Sequence, residues 1–402
     1  MVDNVLIITA PGQGSQTPGF LSPWLELPGL AEQIGAWSEL AGRDLIGYGT
    51  TASAEEITDT AVAQPLLVAA ALAAAGLLPG EPDAVAGHSV GELAAGAIAG
   101  VLSAADAVRL TRVRGEAMAG ATAIEPTGMT AVLGGDEATV LAAIAEAGLT
   151  PANVNGAGQI VAGGTLSQLE PFAAHPPQGA RLRPLRVAGA FHTKHMAPAA
   201  EALAKAAAGT VVKHPSITLI SNADGAVITS GQTWIERIIA QVAAPVRWDL
   251  CMATMSDIGV TAMIELPPAG TLAGLGKRGL PGVEVLALKT PDQLDAARDL
   301  IAAHASATAG YATPPGGQPL EWRIVVSPGA GTFRSEYPPG AATAAVGATV
   351  PAGAVLGHVV ARSGERPVAA PQAATLVEWL AEDGDPVSEG QPLVRLEPKE
   401  DQ

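Results

Sequence analysis

Short apolar segments alternate with longer helical patterns through the first third of the chain. Val5 to Ala10 is a strand-like run interrupted only by Thr9, and Ala84 to Ala86 is a short apolar run; both are of the kind found in buried strands. The Ala-rich stretch from Leu93 to Leu102 is typical of a helix. Gly and Pro residues punctuate the pattern. The alternation predicts an α/β fold in which helices cover both faces of a mostly parallel sheet.

A different order of elements begins near Thr127. From Gly128 to Val187 the pattern predicts β-α-β-β-α-β, which is the ferredoxin-like arrangement. The predicted elements are, in order, Met129 to Leu133, Asp136 to Ala147, a strand near Val154, Ile160 to Ala162, Leu166 to Ala174 and Ala180 to Val187. Helices and strands then alternate again: Met196 to Ala208, Ile217 to Ser221, Trp234 to Val242 and Thr261 to Leu266.

This organisation predicts two subdomains within the first three hundred or so residues. We expect residues 1–126 and 193–302 to form a large α/β subdomain with a parallel sheet, and residues 127–192 to form a small ferredoxin-like subdomain inserted into it. Ligand sites are favoured in clefts between such lobes, so we expect the functional site there.

Composition narrows the class of protein. The chain has 402 residues, of which 48% are hydrophobic, enough for a large core divided over two or three domains. Its 39 acidic residues outnumber its 22 basic ones, which argues against a nucleic-acid partner. The apolar run from Leu66 to Leu78 is shorter than the roughly 18 residues that cross a bilayer, and no charged segment precedes an apolar one at the N-terminus. We expect a cytoplasmic protein with no membrane partner, in which the sole cysteine, Cys251, is a small core residue.

The sequence Gly87-His88-Ser89-Val90-Gly91 lies between the second predicted strand and the helix that follows it. In this setting a G-x-S-x-G sequence is typical of the nucleophile elbow of hydrolase-like α/β folds, a sharp turn that lifts a serine hydroxyl clear of the backbone. The glycines relieve the crowding that side chains would cause. The elbow predicts a serine-nucleophile enzyme, with Ser89 as the nucleophile.

A second loop, Pro11-Gly12-Gln13-Gly14-Ser15-Gln16, follows the first predicted strand. Together with Gly87-His88-Ser89-Val90-Gly91-Glu92 it closely resembles the malonyl-CoA:acyl carrier protein transacylases of fatty acid and polyketide synthesis. Further positions match that family, in the family's order, along residues 1–305: Ala63-Gln64-Pro65, Arg114-Gly115, Asn153, Asn155, Gln159, Gly189-Ala190-Phe191-His192, Gln241 and Pro245-Val246-Arg247-Trp248. The resemblance implies that Ser89 takes a malonyl group from malonyl-CoA, a coenzyme A thioester, and passes it to the phosphopantetheine thiol of holo acyl carrier protein by ping-pong kinetics, with no bound cofactor and no metal.

Seven histidines are candidates for the base that activates Ser89. Five are not expected to act as the base. The side chain of His88 diverges from that of its neighbour Ser89, and His358 lies in the C-terminal segment. The other three lie in apparent solvated loops: His175, His214 and His304. Of the other two, the family's Phe-His signature selects His192, and His195 is the surface alternative. No acidic third member is evident, and the resemblance implies that the backbone carbonyl of Gln241 orients His192 instead.

Transfer of an acyl group that bears a free carboxylate requires two further features. A tetrahedral intermediate places negative charge on the thioester oxygen, and we expect the N–H of Val90, at a helix N-terminus, and that of Gln13 to stabilise it. Arg112 and Arg114 lie on opposite sides of a predicted helix, and the family's Arg-Gly step selects Arg114. A guanidinium there can grip the free carboxylate of malonyl with two hydrogen bonds.

The remaining pocket residues are assigned by resemblance. Phe191 narrows the pocket where a branching methyl group would lie, which by resemblance to polyketide acyltransferases favours malonyl over methylmalonyl. Gln64, Asn155 and Gln159 either order the acyl group and the pocket wall or are buried structural amides. His88 packs against or lines the turn beside them.

Composition changes beyond His304. Residues 303–318 are rich in Ala, Gly, Pro and Thr and predict a linker. Residues 319–402 contain an internal repeat. Gly347, Val350, Gly353 and Leu356 recur as Gly384, Val387, Gly390 and Leu393, and Pro328 with Thr332 recurs as Pro371 with Thr375. This doubled pattern resembles the all-β hammerhead of biotinyl and lipoyl carrier domains, which present a modified lysine on a hairpin between the halves. Here that stretch spans residues 361–367 and contains no lysine, and the only lysine after the linker is Lys399. We therefore expect neither covalent biotin nor covalent lipoate. The segment is expected either to dock a partner or to stabilise the enzyme.

Two other functions compete with malonyl transfer. A serine hydrolase or thioesterase shares the elbow but gives the acyl group to water, and Arg114 and the missing acid argue against it. A noncatalytic carrier-like scaffold centred on residues 319–402 is disfavoured by the absent lysine and the intact elbow.

The acidic balance of the chain bears on its partner. Acyl carrier proteins are generally acidic and the chain carries a formal net charge of -17, so long-range attraction between them is not expected. Binding would need a local basic patch, for which the candidates are Arg181, Arg183, Arg186, Lys194, Lys277 and Arg278.

Overall fold

The computed structural model describes residues 4–304, 323–335, 345–361, 364–370, 373–381, 383–387 and 392–398. The chain divides into two compact units, Met1–Gly310 and Tyr311–Gln402. Most of the predicted linker, residues 303–318, lies outside the described residues.

The first unit alternates helices and strands along most of its length. Its strands are β1 (Leu6–Ala10), β2 (Ala84–Gly87), β3 (Thr127–Gly134), β4 (Thr150–Gly156), β5 (Gln159–Thr165), β6 (Ala180–Pro184), β7 (Thr218–Ile220), β8 (Val227–Ile228), β9 (Val246–Arg247), β10 (Ala262–Glu265) and β11 (Glu284–Ala287). Its α-helices are α1 (Ser22–Leu25), α2 (Leu30–Ala41), α3 (Leu45–Thr50), α4 (Thr60–Ala75), α5 (Gly91–Ile98), α6 (Ala104–Thr122), α7 (Glu137–Glu146), α8 (Leu166–Ala174), α9 (Ala197–Ala207), α10 (Gly231–Gln241), α11 (Trp248–Asp257), α12 (Thr271–Gly279) and α13 (Leu294–His304). Short 3₁₀ turns occur at Glu56–Thr58, Lys194–Met196 and Pro291–Gln293.

The larger sheet has the strand order β11-β10-β1-β2-β7-β8. Neighbouring strands run parallel except β7 and β8, so the predicted mostly parallel sheet is present. Ala10 of β1 lies opposite Gly87 of β2, and Ile220 of β7 lies opposite Ala86. The carboxyl ends of three adjacent strands therefore meet at one edge, which is where open α/β sheets place their ligands.

The second sheet has the order β6-β3-β5-β4-β9. From Thr127 to Pro184 the elements follow the order strand, helix, strand, strand, helix, strand. The strands β6, β3, β5 and β4 pair antiparallel, whereas the two-residue β9 pairs parallel with β4. A strand from beyond residue 193 thus completes this sheet.

Helix α4 explains how the core of the first unit is built. Asp59 caps it by accepting a hydrogen bond from Ala61 N, and its residues from Thr60 to Ala74 are buried. A helix that is apolar on all sides belongs in the interior of a large protein. It packs against α6, which Ser103 caps in the same way. No helix among the described residues is both long enough and apolar enough to cross a membrane.

Several predicted boundaries differ from the structure. Helix α5 runs from Gly91 to Ile98 rather than from Leu93 to Leu102, because the chain turns at Gly100 with a φ of 75°. Strand β6 ends at Pro184 rather than Val187. His304 was expected in a solvated loop, but it ends α13, and its Nδ1 lies 3.0 Å from Thr261 Oγ1. The amphipathic pattern of α13 continues to this residue, which the sequence analysis overlooked.

The second unit is built from antiparallel strands. These are β12 (Arg323–Val326), β13 (Gly331–Arg334), β14 (Thr349–Val350), β15 (Val355–Ala361), β16 (Gly364–Ala369), β17 (Ala374–Trp379), β18 (Pro386–Val387) and β19 (Pro392–Pro398). They form two four-stranded sheets, with orders β12-β19-β17-β14 and β16-β15-β13-β18.

The sequence repeat has a structural counterpart in these sheets. Gly347 and Gly384 adopt φ of 87° and 99°, a region that favours glycine, and each precedes a two-residue strand that ends in a buried valine, Val350 or Val387. The repeat members Gly390 and Pro371, and Lys399, lie outside the described residues.

Two helical glycines provide a matched test of the packing that holds α5. A Cβ on Gly96 would overlap the indole of Trp234, whereas a Cβ on Gly120 meets nothing within 4 Å. We expect Gly96→Ala to lower the free energy of unfolding by about 1–3 kcal/mol through overpacking. Gly120→Ala is expected to raise it by about 0.5–1 kcal/mol, because alanine favours the helix. Urea unfolding measures both, and equal effects would contradict the packing.

Candidate active site

The turn between β2 and α5 has the geometry of a nucleophile elbow. Ser89 adopts a φ of 55°, a left-handed conformation that is strained for a residue with a side chain. A Cβ on Gly87 would overlap the backbone of Gly91, and a Cβ on Gly91 would overlap the carbonyl of Ala10. Glycine is therefore required at both positions, and the neighbouring strand β1 imposes the second requirement.

His192 lies against the nucleophile. Its Nε2 is 2.7 Å from Ser89 Oγ, and its Nδ1 is 2.8 Å from the backbone oxygen of Gln241. A carbonyl only accepts hydrogen bonds, so Nδ1 carries the proton and Nε2 is free to accept one from Ser89. Burial, and next the nearby charge of Arg114, lower the pKa of His192 to about 3. The imidazole is therefore neutral near pH 7, as a base must be.

Arg114 is a buried cation beside the same hydroxyl. Its side chain is 1% exposed, and its Nη2 donates to Ser89 Oγ at 3.2 Å. Its other bonds go to neutral amides: Nη1 to Gln64 Oε1 at 2.7 Å and Nη2 to Gln241 Oε1 at 3.5 Å. Among the described residues no carboxylate forms an ion pair with it, and burial lowers its pKa to about 10. Arg112, by contrast, lies near Glu116 with its side chain 45% exposed.

Gln64 connects Arg114 to the N-terminal loop. Its Nε2 donates to Gln13 Oε1 at 3.1 Å while its own Oε1 accepts from Arg114. It is fully buried, and both ends of its amide have hydrogen-bond partners within the site. The backbone N–H groups of Gln13 and Val90 have no hydrogen-bond partner among the described residues.

A cavity of about 380 Å³ opens over Ser89. Seven predicted site residues line it: Gln13, His88, Ser89, Asn155, Gln159, Phe191 and His192. The other four, Val90, Gln64, Arg114 and Gln241, are buried and are not part of its lining. The wall also includes Arg186, which was predicted only as part of the basic patch, and residues with no predicted role in the site, among them Met118, Met129, Leu185 and Leu275.

His88 points away from the nucleophile pair. Its Nε2 lies 3.0 Å from Asn155 Oδ1, and its ring packs against Trp248 with the centroids 5.7 Å apart. Burial lowers its pKa. This histidine thus holds Asn155 at the cavity wall.

Two polar residues of the site were missed by the sequence analysis. Glu92 is 2% exposed and accepts hydrogen bonds from Asn222 N, at 2.9 Å, and from Gln241 Nε2. Asn222, also buried, accepts a bond from Ser89 N at 2.7 Å. A signal for Glu92 existed, since it ends the elbow motif, but Asn222 follows β7 and no local pattern marks it.

The alternative base lies elsewhere. His195 Nδ1 is 3.1 Å from Glu125 Oε2, so this histidine is engaged by a surface carboxylate. His175 and His214 are exposed, as expected. Within the described ranges, no group of three or more His, Cys, Asp or Glu side chains is placed to hold a metal ion.

Comparison with known proteins gives close relatives over the first unit. Residues 10–308 match the acyl transferase domain family. A malonyl CoA-acyl carrier protein transacylase of Mycobacterium tuberculosis (strain ATCC 25618 / H37Rv) is 56% identical over 297 residues, which cover 72% of this chain and 98% of the relative. The protein of the same name from Escherichia coli (strain K12) is 34% identical, over 72% of this chain and 97% of its own.

Solved structures agree with these relatives. A crystal structure of MCAT from Mycobacterium tuberculosis matches with a TM-score of 0.71 and 56% identity, covering 73% of this chain and 99% of that one. A type II PKS acyl-carrier protein in complex with its malonyl-transacylase matches with a TM-score of 0.69 and 28% identity, covering 73% and 99%.

The buried carboxyl of Glu92 gives stability a distinct pH dependence. Burial raises its pKa from 4.5 to about 8, so between these values the folded chain binds a proton that the unfolded chain has lost, and stability falls as pH rises. The lowered pKa of His192 acts in the opposite direction, but only below its unfolded value of 6.5. Arg114, which acts on Glu92, remains charged throughout this range, because its own pKa is about 10.

We therefore expect wild type to lose stability relative to Glu92→Gln between pH 6.5 and 8, by up to about 1.4 kcal/mol per pH unit. Urea unfolding of both proteins at a series of pH values measures the difference. A difference that stays constant across this window would show that Glu92 is ionised in the fold.

Proposed function

The chain belongs to the acyl transferase family, and we propose that it transfers a malonyl group from malonyl-CoA to the phosphopantetheine thiol of acyl carrier protein. The observation that carries this proposal is the buried Arg114, whose guanidinium contacts the nucleophile and has no carboxylate partner among the described residues. A cation held this way is matched by an acyl group that brings its own carboxylate. The names of the 56% and 34% identical relatives support the same activity.

The Ser89 and His192 pair is suited to the two half-reactions. As Oγ attacks the malonyl carbonyl carbon, its proton passes to His192 Nε2, and the Gln241 carbonyl stabilises the imidazolium through Nδ1. The C–S bond then breaks, and His192 returns the proton to the departing coenzyme A thiolate. In the second half-reaction His192 takes the proton of the carrier thiol, whose sulfur attacks the carbonyl carbon of the malonyl ester. The bond from that carbon to Ser89 Oγ then breaks, and His192 returns the proton to Oγ, which regenerates Ser89.

The N–H groups of Val90 and Gln13 are proposed to stabilise the oxyanion of each tetrahedral intermediate. Their lack of partners among the described residues supports this role, because a free donor is available to the developing charge. Asn155 and Gln159, in the cavity wall, are proposed to order the acyl chain, and Phe191 to exclude a branching methyl group.

Finer features of the architecture are proposed on the same basis. Residues 1–126 and 193–302 form a hydrolase-like subdomain, and residues 127–192 form a ferredoxin-like insertion, as the element order and the separate second sheet support. Residues 319–402, which lie within the second unit, form a hammerhead-like domain without an attached prosthetic group, because residues 361–367 contain no lysine. We place the protein in the cytoplasm. The free, buried Cys251 is consistent with this, because reducing compartments keep cysteine thiols unpaired.

The carrier is proposed to dock on a basic patch beside the cavity. Arg186 lines the cavity wall, and Arg181 and Arg183 lie exposed on β6, an edge strand. None of the three forms an ion pair with a described carboxylate. Unpaired cations at the mouth of the site would attract an acidic carrier locally, although the chain as a whole is acidic.

Substitution of Arg114 tests the proposed activity. We expect Ser89→Ala to abolish the malonyl adduct detected by intact-protein mass spectrometry, and Arg114→Ala to slow its formation by about 10- to 200-fold through loss of a charged hydrogen-bond pair. Arg112→Ala is the matched control and should leave the rate unchanged, because its side chain lies on the exposed face. Addition of holo carrier protein should remove the adduct, whereas loss to water with the carrier ignored would indicate a hydrolase.

Charge reversal tests the docking surface. Arg183→Glu is expected to raise the apparent KM for carrier protein several-fold and to leave that for malonyl-CoA unchanged, because only the carrier contacts the patch. Arg109→Glu makes the same change of charge on α6, where Arg109 pairs with Asp106, and should alter neither value. Equal effects of Arg183→Glu on both substrates would refute the patch.

A further inference from the structure

Asn222 lies where the ends of two neighbouring strands meet. It follows β7 by two residues, and β7 pairs in parallel with β2, the strand that leads to the nucleophile. Its side chain is completely buried, although asparagine is rarely found there. A buried amide must find partners for its oxygen and its nitrogen, and the partners of Asn222 identify what it does.

The amide of Asn222 closes across the elbow. Its Oδ1 accepts a hydrogen bond from Ser89 N at 2.7 Å, and its Nδ2 donates to Gly87 O at 2.6 Å. The two backbone groups flank His88, at the point where Ser89 adopts its left-handed conformation. The side chain thus satisfies an N–H and a C=O that the turn leaves unpaired.

The same residue also reaches the segment that holds the base. Asn222 Oδ1 accepts a second bond, from Gln241 Nε2 at 3.2 Å, and Asn222 N donates to Glu92 Oε1 at 2.9 Å. The other oxygen of Glu92 accepts from Gln241 Nε2 as well. The backbone carbonyl of Gln241 accepts from His192. The side-chain amide of Asn222 is therefore bonded both to the turn that carries the nucleophile and to the residue that orients the base.

We propose that Asn222 is a positioning residue that sets the separation of Ser89 Oγ and His192 Nε2. Glu92 holds Asn222 in place by accepting a hydrogen bond from its backbone N–H. The inference deepens the proposed function and rests on it. Asn222 bonds to the elbow and to Gln241 but makes no hydrogen bond to Arg114, so we expect it to act on proton transfer more than on substrate affinity. Placement errors near 1 Å cost about a hundredfold in rate, which sets the size of the expected effect.

Two substitutions at the same position test this role. Asn222→Ala removes every side-chain bond. Asn222→Asp keeps the size and the acceptor for Ser89 N but places a second oxygen against Gly87 O, where a donor is needed. For both variants we expect kcat for malonyl transfer to fall about 10- to 100-fold while KM for malonyl-CoA stays within about twofold.

A second readout separates this proposal from the proposed function. A small sulfonyl fluoride reacts with an activated serine without needing a malonyl-binding site, so its rate of reaction with Ser89 reports the Ser89 and His192 pair directly. We expect that rate to fall in parallel with kcat in both Asn222 variants. If wild type reacts with the sulfonyl fluoride but takes no malonyl group, the proposed function fails while the comparison of the variants still decides the role of Asn222.

Ser221→Ala is the matched control. Ser221 is equally buried and precedes Asn222. Among the described residues, the hydrogen bond of its hydroxyl is to Ala223 N, from which it accepts at 3.3 Å, and none joins it to the elbow or to Gln241. Its kcat should stay within about twofold of wild type. Loss of kcat in Ser221→Ala as large as in the Asn222 variants, a rise in KM that matches the fall in kcat, or full sulfonylation of folded Asn222→Asp would each overturn the proposal. If Asn222→Ala does not fold, Asn222→Asp decides the outcome, with circular dichroism as the check that it is folded.

Discussion

The polar interior of the first unit is organised around one uncompensated charge, the guanidinium of Arg114. Removing a cation from water is costly unless partners replace the lost hydration, and the structure supplies neutral amides, those of Gln64 and Gln241, where an ion pair would be the usual solution. The carboxyl that acts electrostatically on Arg114 is that of Glu92. It is buried, its pKa is raised, and it accepts hydrogen bonds from Asn222 and Gln241 and none from Arg114. A buried cation without a carboxylate partner among the described residues lowers stability, as is common at functional sites.

The backbone around this charge is fixed by the close approach of strands. Gly91 passes so near the carbonyl of Ala10 that no side chain fits, and Ser89 is held in a left-handed conformation. The turn itself lies within five consecutive residues, which is why a short motif could predict the elbow, although the contact of Gly91 with Ala10 depends on the neighbouring strand β1. Helical geometry likewise separated Arg114 from Arg112, and the two arginines lie as that geometry required.

Other parts of the site depend on the order of strands and could not be found from local patterns. Asn222 is 133 residues from Ser89 and reaches it because β7 adjoins β2 in the sheet. The contact of His192 with the Gln241 carbonyl was expected only because a family resemblance supplied it, since nothing in the spacing of the two residues implies it. Helix ends were also missed where a single turn decides them, as at Gly100. In the second unit the repeat could be found in the sequence because Gly347 and Gly384 occupy equivalent left-handed positions. The repeat predicts how the strands and turns recur, and it carries no information on a binding partner.

The proximity of Arg114 to His192 has a consequence for selectivity under the proposed function. The positive charge of Arg114 is one of the two main causes of the low pKa of His192, so in the free enzyme the imidazole is a weak base. A malonyl carboxylate that pairs with Arg114 compensates that charge, which raises the basicity of His192 at the moment a substrate is in place. An acetyl group brings no carboxylate and leaves the base weak. Discrimination between the two acyl groups therefore acts on proton transfer as well as on binding, and one buried arginine accounts for both.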